Sequence, residues 1–438
     1  MSTPFQVATT DHARTGLHRK VEYSAEARPR ATTATTMLAH AMLGSNLVIM
    51  YCTPSVSSQT IGFVTRYFEL FASLVFIAWT ARATPAIRLC IYVRLYVPIL
   101  TFGLISAATG LDPNYSAQAI MRWLVVVLSA ALIPEALPHR SYTRFVMVAT
   151  LAVMAASIGV AVLVPNIGID FYGYSPVWRG VFPRKNSLAW VALLGVLLGT
   201  TSTNTQVFMR FALLSSSLLC LVMSGGMGNL ATLAVLSILM FIMAILRRSR
   251  LSPAARVASF LVATVAIALL AATSLEAAVT AVGRDLTFTG RTDVWQAYLP
   301  EIQKRWFLGY GPGMFGSPSV VTSAILASSG FDAPIYTPHN TLLAYAGDSG
   351  VCGLFAFLAL SVRALVSPFE FSEPRYMQSA AFAAVGILGG LAETHEVFSE
   401  GPWWLLFCAS WSYAQATSAP ELLRPATTGC SPTTRRCR

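Results

Sequence analysis

The fold is decided by the stretch GNLATLAVLSILMFIMAIL, residues 228–246, which has no charged side chain and is followed directly by Arg247, Arg248 and Arg250. A helix of about 20 apolar residues spans the hydrocarbon core of a bilayer. Short connectors rich in arginine stay on the cytoplasmic side during insertion. This stretch therefore predicts a transmembrane helix whose C-terminal end faces the cytoplasm.

Apolar runs of similar length recur along the whole chain. Of its 438 residues, 55% are hydrophobic and 11% are charged, whereas a soluble domain has about 25% charged residues. Long continuous runs favour helices over the short alternating strands of a membrane barrel. We predict an all-α integral membrane protein with about twelve transmembrane helices, at 35–53, 61–80, 87–108, 118–137, 144–165, 186–203, 207–224, 228–246, 257–282, 340–366, 376–397 and 400–417.

The basic residues predict an orientation for these spans. Counting outward from the Arg247 connector places both termini and 21 of the 30 basic residues in the cytoplasm. We expect a disordered cytoplasmic tail over 1–32, a membrane domain over 33–418 and a second cytoplasmic tail over 419–438. The long connections at 166–185 (the first connection) and 283–338 (the second connection) then face outward. Residues 1–32 lack the apolar core of a signal peptide.

Cysteine spacing predicts no further chemistry. None of the seven cysteines forms a CxxC pair, so neither a disulfide framework nor a zinc site is expected.

Nine basic residues are left on the outer side, and most of them flank the two connections. Headgroup anchoring explains such residues, and long loops escape the orientation rule. An anionic substrate explains them equally well. The nine are Arg66, Arg122, Arg179, Arg184, Lys185, Arg284, Arg291, Lys304 and Arg305.

The first connection also carries aromatic residues, among them Phe171, Tyr172 and Trp178. Aromatic rings with interleaved cations suit sugar faces and phosphates. They equally suit an interfacial aromatic belt.

A helix is predicted near the start of the second connection. Trp295, Leu299, Ile302 and Trp306 fall on one helical face, with Pro300 kinking the helix or starting a second one. Such a helix would lie on the membrane surface. Arg291 at its start opposes the helix dipole, which makes sense if a phosphate binds there; an ordinary solvated arginine is the alternative.

The second connection ends in residues that suit acid–base chemistry. It contains the turn Gly309-Tyr-Gly-Pro-Gly313, and we expect Thr337 to cap the next helix and Pro338 to begin it. His339 would then lie at the outer mouth of that span, as a general base or as an interfacial polar residue. Asp348, predicted near mid-membrane, is either a functional carboxylate or a buried partner for an arginine.

Taken together, these stretches resemble the O-antigen ligase/polymerase family, and Phe182–Leu188 is closest to exopolysaccharide polymerases. The resemblance rests on Arg184-Lys-Asn-Ser-Leu188, Gly290-Arg-Thr-Asp-Val-Trp295, the Gly309–Gly313 turn, and His339-Asn340 with Gly350 following. It implies a helical GT-C-like fold that transfers glycans from polyprenyl diphosphate to an acceptor hydroxyl. Arg184 and Arg291 would hold the diphosphate, and His339 would serve the acceptor.

The chain departs from the family pattern at two positions. Asp348 stands where many relatives have glutamate, and Lys185 precedes Asn186 where relatives often place lysine after histidine. The second departure leaves open whether Arg184 or Lys185 contacts the phosphate.

The resulting hypothesis is a metal-independent, inverting glycosyltransferase, without a cofactor, at the outer face of the bacterial inner membrane. Arg184, Lys185 and Arg291 bind the diphosphate and His339 deprotonates the acceptor; Arg179, Asp348 and Glu396 are secondary candidates, with Glu393, His395 and Glu400 near the last. Expected partners are a polyprenyl diphosphate-linked oligosaccharide, a glycan or lipid-linked hydroxyl acceptor, membrane lipid and other polysaccharide export proteins, but not nucleic acid.

Rival functions remain open at this point. A transporter or flippase of lipid-linked glycans would show internal repeats and several charges near the membrane midplane, and we find no repeat. A membrane scaffold accounts for the spans but not for the clustered cations. The sequence does not separate a polymerase from a ligase.

Overall fold

The computed structural model describes residues 32–52, 59–172, 175–202, 206–281, 291–316, 318–329, 336–371, 373, 375–391 and 402–422. Within these ranges the chain forms sixteen helices and two short strands. The elements are α1 (Thr33–Cys52), α2 (Gln59–Ala83), α3 (Ala86–Val93), α4 (Val97–Thr109), α5 (Pro113–Ala136), α6 (His139–Leu163), α7 (Pro165–Gly168), β1 (Ile169–Tyr172), β2 (Ser175–Trp178), α8 (Lys185–Thr201), α9 (Val207–Met223), α10 (Met227–Arg248), α11 (Pro253–Ala281), α12 (Arg291–Lys304), α13 (Val320–Ser329), α14 (Thr341–Glu370), α15 (Arg375–Gly390) and α16 (Pro402–Leu422).

Every predicted apolar run coincides with one of these helices or with a pair of them. The run 87–108 is shared by α3 and α4, which are bent by 73°, so the span predicted there is interrupted. Pro98 in the first turn of α4 has no N–H, and its ring would clash with the carbonyl four residues earlier in a continuous helix. At the other end of the chain, α16 continues to Leu422, past the predicted tail boundary at 419.

Four of the described helices are long and apolar enough to cross a membrane, namely α5, α6, α10 and α14. The bent pair α3–α4 would make a fifth. Together with a mean hydropathy of +0.60, these helices make the chain a helical, multi-pass membrane protein.

Helices α5, α8, α15 and α16 are largely buried. Trp123 of α5 is fully buried and meets Trp404 of α16 edge to face, with ring centroids 5.5 Å apart. The neighbouring Trp403 donates its indole N–H to the Phe382 carbonyl of α15 at 2.6 Å. Burial of such large rings against one another ties α5, α15 and α16 into one core.

The two ends of α5 contact different parts of the chain. At its C-terminal end, the Tyr413 hydroxyl of α16 donates to the Leu137 carbonyl at 3.0 Å, and His139 packs on Tyr413. At its N-terminal end, Ser116 lies against Gly311 of the second connection. The second connection therefore lies at the opposite end of α5 from the ends of α16 and α15 that we predict to be cytoplasmic.

A β-hairpin in the first connection is absent from the all-helical prediction. Strands β1 and β2 pair antiparallel, with Ile169 opposite Trp178 and Asp170 opposite Val177. The strands are only four residues each, too short for an alternating pattern to identify them in the sequence. Val177 lies against Gly225 in the turn between α9 and α10.

Candidate active site

Helix α14 is broken at Gly350, where the backbone has φ 63° and ψ −169°. This conformation is essentially restricted to glycine. The Tyr345 ring stacks on Phe357, twelve residues later, with centroids 4.3 Å apart, whereas a straight helix would separate the two positions by about 18 Å. The single span predicted at 340–366 is therefore two helical segments, 341–349 and 351–370, with a sharp turn between them.

The second connection fills this break. Backbone groups that a helix leaves unpaired must find partners inside the protein, because lipid offers none. Here residues 306–311 supply them. The bonds run from Tyr310 N to the Gly347 carbonyl (2.8 Å), from Gly311 N to the Asp348 carbonyl (2.9 Å) and from Val351 N to the Trp306 carbonyl (2.8 Å).

The Asp348 side chain holds the glycine-rich turn in place. Its two carboxylate oxygens accept hydrogen bonds from Gly313 N (2.9 Å) and Phe315 N (2.8 Å), and the residue is 2% exposed. The Ser106 hydroxyl donates to the Asp348 carbonyl at 2.6 Å. Since Ser106 is in the last turn of α4, Asp348 lies where the end of α4 meets the break in α14. Its depth in the membrane remains a prediction.

Helix α12 packs on this turn through a face that differs from the predicted one. Its buried residues are Val294, Tyr298 and Ile302, whereas the predicted Leu299 is 41% exposed and Trp306 is 60% exposed. The helix continues through Pro300 and ends at Lys304, so Trp306 is not part of it. Only Ile302 of the predicted stripe is buried.

Phe315 connects α12 to the broken helix. Its ring lies 5.7 Å from that of Tyr298 and 5.6 Å from that of Tyr310. A Cβ on Gly347 would fall 2.4 Å from the Phe315 ring, so the ring is seated directly on the backbone of α14. This aromatic cluster fixes where α12 lies relative to α14.

A tyrosine hydroxyl closes the same cluster. Tyr310 donates to the Glu301 carbonyl (3.1 Å) and to its carboxylate (3.2 Å). Burial, followed by the nearby Glu301 charge, raises the pKa of Tyr310 above its usual value. The phenol therefore stays protonated and acts as a donor that ties the turn back to α12.

The start of α12 is held next to His339. Trp295, one turn after Arg291, donates its indole N–H to the Pro338 carbonyl at 2.9 Å. Residues four apart on a helix lie on the same face. Arg291 is therefore on the same face of α12 as Trp295, which makes this bond. This bond joins the first turns of α12 to the segment just before α14, while the catalytic roles of Arg291 and His339 remain a prediction.

The capping of α14 differs from the prediction. Asn340, not Thr337, is the N-cap: its side-chain oxygen accepts from Leu342 N (3.0 Å) and Leu343 N (3.2 Å). Pro338 consequently precedes the helix. His339 has a left-handed backbone with φ 47°, the one positive φ among the described non-glycine residues.

Residues 191–358 match the family model described as O-Antigen ligase. This segment belongs to the O-antigen ligase family. The match implies a glycosyltransferase-like membrane enzyme. A search of curated proteins found no match.

The O-antigen ligase segment includes three of the predicted site residues, Arg291, His339 and Asp348, whereas Arg184 and Lys185 precede it. Arg184 is exposed and occupies the N-cap of α8, where its carbonyl accepts from Ser187 N at 3.1 Å. Helix α8 packs on α9 and contacts α15, which in turn packs on α14. None of the described contacts places Arg184 beside α12, so its convergence with Arg291 remains a prediction.

Arg179 has a structural role in the first connection. Its guanidinium pairs with Asp170 at 3.3 Å and donates to the Ile167 carbonyl at 2.6 Å. These contacts brace the hairpin against α7. The remaining candidate, Glu396, lies outside the described residues, as do Glu393, His395 and Glu400. Within the described ranges no group of three His, Cys, Asp or Glu is placed to hold a metal ion.

Two contributors to the site were missed in the sequence. Asn340 ranks with threonine as an N-cap, and it directly precedes the apolar run, so this signal was available. Phe315 looks like any aromatic residue in a long connection, and only the fold shows that it fills the space above Gly347.

Proposed function

We propose that this O-antigen ligase family enzyme transfers an oligosaccharide from a polyprenyl diphosphate carrier to a hydroxyl acceptor. The reaction takes place at the outer face of a bacterial inner membrane, on a GT-C-like bundle of about twelve spans with both termini cytoplasmic. The observation that carries the proposal is the hydrogen bond from the Trp295 indole to the Pro338 carbonyl, which joins the first turns of α12, where Arg291 lies, to the residue before His339.

The chemistry follows from the two side chains. The His339 imidazole takes the proton of the acceptor hydroxyl. The hydroxyl oxygen forms a bond to the anomeric carbon as the bond to the diphosphate oxygen breaks, and the electron pair leaves with the diphosphate. Attack from the opposite face inverts the anomeric centre.

Cations suit the departing diphosphate. Arg291 adds its guanidinium to the N-terminal part of α12, where the helix dipole favours anions. Arg184 or Lys185, at the start of α8, offers a second such setting. These charges stabilise the leaving group as preorganised donors do elsewhere, and we therefore propose a reaction that needs no metal.

The opposed ends of α5 support the proposed sidedness. The second connection, with Arg291 and His339, lies at one end, and the predicted cytoplasmic ends of α15 and α16 lie at the other. Donor lipid would then enter from the outer leaflet.

Reconstituted enzyme tests the proposal. The protein in vesicles is supplied with polyprenyl diphosphate-linked oligosaccharide, and glycan products are measured. We expect His339→Ala and Arg291→Ala each to lower the transfer rate by about 100-fold or more, with His40→Ala and Arg140→Ala, both far along the chain from the site, as matched controls. Full activity in both site variants would refute the mechanism.

The choice between polymerase and ligase is settled by the glycan of a deletion strain. Single unpolymerised repeats identify a polymerase, and long chains left on the carrier lipid identify a ligase.

The broken helix α14 is a feature shared with transporters, in which interrupted helices bind substrate near the midplane. In this chain the break is bonded to residues 306–311, and the Asp348 carboxylate is bonded to the turn. A flippase would move lipid-linked glycan across vesicles without lengthening it, which the same vesicles can detect.

A further inference from the structure

The backbone of His339 is held in a conformation that its side chain disfavours. Its φ of 47° is in the left-handed region, which non-glycine residues enter at an energetic cost because Cβ approaches the following carbonyl oxygen. Such a conformation persists only where the surrounding structure imposes it, and it clusters at functional sites. The contacts on either side of His339 show what imposes it.

On the C-terminal side, the next residue is fixed by a helix cap. The Asn340 side chain accepts from two backbone N–H groups of α14, and Asn340 is 8% exposed. This cap sets where the helix begins, whereas the Pro338–His339 peptide lies outside the cap.

On the N-terminal side, that peptide is fixed from another helix. The Trp295 indole donates to the Pro338 carbonyl at 2.9 Å. Trp295 itself cannot shift easily, because the adjacent Val294 and Tyr298, one turn on, are 3% and 0% exposed in the aromatic cluster. The left-handed backbone at His339 therefore lies between two fixed contacts, the Asn340 cap and the bond from Trp295 to the Pro338 carbonyl.

We propose that Trp295 is a positioning residue, whose indole N–H holds the His339 imidazole at its working distance from Arg291. This inference rests on the proposed function, in which His339 is the base and Arg291 binds the diphosphate. A displacement of about 1 Å in a reacting group can lower a rate by about 100-fold. Loss of one indole N–H would thus have an effect on rate out of proportion to its effect on stability.

The test is Trp295→Phe, which keeps an aromatic ring and removes the donor. We expect kcat to fall by about 10- to 100-fold, with the KM for lipid-linked donor changed less than about twofold. Trp403→Phe is the matched control, because it removes the same kind of indole-to-carbonyl bond from α15 and α16. That variant should lower the thermal midpoint at least as much and leave kcat near the wild-type value.

A double variant separates positioning from general destabilisation. If Trp295 acts through His339, adding Trp295→Phe to His339→Ala leaves the residual rate unchanged. If the second substitution lowers that residual rate by the same factor as in the wild type, Trp295 acts independently of His339 and the inference is wrong.

The outcomes also distinguish this inference from the proposed function. Full activity of His339→Ala would overturn both. An inactive His339→Ala together with a wild-type kcat in Trp295→Phe would overturn the role of Trp295 alone.

Discussion

The two outward connections of this membrane protein are held by different means. The described hydrogen bonds of the first connection are largely internal: Arg179 pairs with Asp170, and the Arg179 and Gly180 amides both donate to the Gly168 carbonyl. The second connection is instead bonded into the bundle, to α14 through Asp348 and to the end of α4 through Leu111. The polar contacts of the first connection are thus mostly its own, although Phe182 is buried in the bundle core, whereas the second connection supplies hydrogen bonds to the bundle itself.

This difference predicts which of the two connections tolerates substitutions. A hairpin whose polar contacts are internal can lose one of them without leaving a backbone group of the surrounding helices unpaired. A connection that completes a broken helix cannot, because every bond it loses leaves a buried group of α14 without a partner. Substitutions matched between the two connections should therefore have very unequal effects.

The largest effect is expected at the break itself. In Gly350→Ala the new Cβ would fall 2.1 Å from the Phe307 carbonyl oxygen, at a φ of 63°. We expect a loss of about 5 kcal/mol or more and little folded protein, measured as the yield of monodisperse protein and its thermal midpoint in detergent. Gly159→Ala in α6 is the control, since nothing lies within 4 Å of its Cβ; equal yields of the two variants would contradict the account of the break.

The next effect concerns aromatic packing. Phe315→Ala should destabilise the protein by about 3–5 kcal/mol, because Phe315 is fully buried against Tyr298 and Gly347. The matched change in the first connection is Phe171→Ala, at a residue 75% exposed, for which we expect a change within about 0.5 kcal/mol. The measurement is the thermal midpoint of both variants. Equal shifts for Phe315→Ala and Phe171→Ala would contradict the difference between the two connections.

A smaller effect is expected when one carboxylate oxygen of Asp348 is replaced by an amide nitrogen. Asp348→Asn leaves a single acceptor for the two N–H donors of Gly313 and Phe315, at a cost of about 1–3 kcal/mol. Asp112→Asn is the control, because Asp112 caps α5 with one bond to Tyr115 N and asparagine caps equally well. A lowered midpoint for the second variant and not the first would show that the roles are assigned wrongly.

The smallest effect is expected in the first connection. Arg179→Gln removes an ion pair whose side chains are 30% and 36% exposed, which should cost less than about 1 kcal/mol. Transfer activity should stay within about twofold of wild type, as for a surface ion pair. An activity loss comparable to that of Arg291→Ala would place Arg179 in the site and erase the contrast between the two connections.

Much of the helical layout could be predicted from the sequence. All twelve apolar runs coincide with helices, since lipid requires long uncharged stretches whose ends are marked by charge and proline. The helix over 291–304 was also predicted, because its local pattern is helical. The family assignment followed from the order of motifs around the second connection, and the match to residues 191–358 confirms it.

The parts that could not be predicted depend on distant contacts. Gly350 lies within an apolar run, and nothing near it in the sequence indicates a break; its partners are more than thirty residues away, at Trp306 and Tyr310. The buried face of α12 was predicted wrongly because Trp306 was counted as a buried residue of this helix. The helix ends before Trp306, at Lys304. The left-handed turn at His339 depends on Trp295, which no local rule connects to it.

The broken helix also has a consequence for the order in which the protein is made. The residues that satisfy the break, 306–315, and the end of α4 with Ser106 all precede α14 in the chain. When residues 341–370 leave the ribosome, the residues that form the described hydrogen bonds to the break in α14 have already been synthesised. A circularly permuted chain that emerges with α14 first would expose those groups to lipid, so the direction of synthesis suits the way this helix is completed.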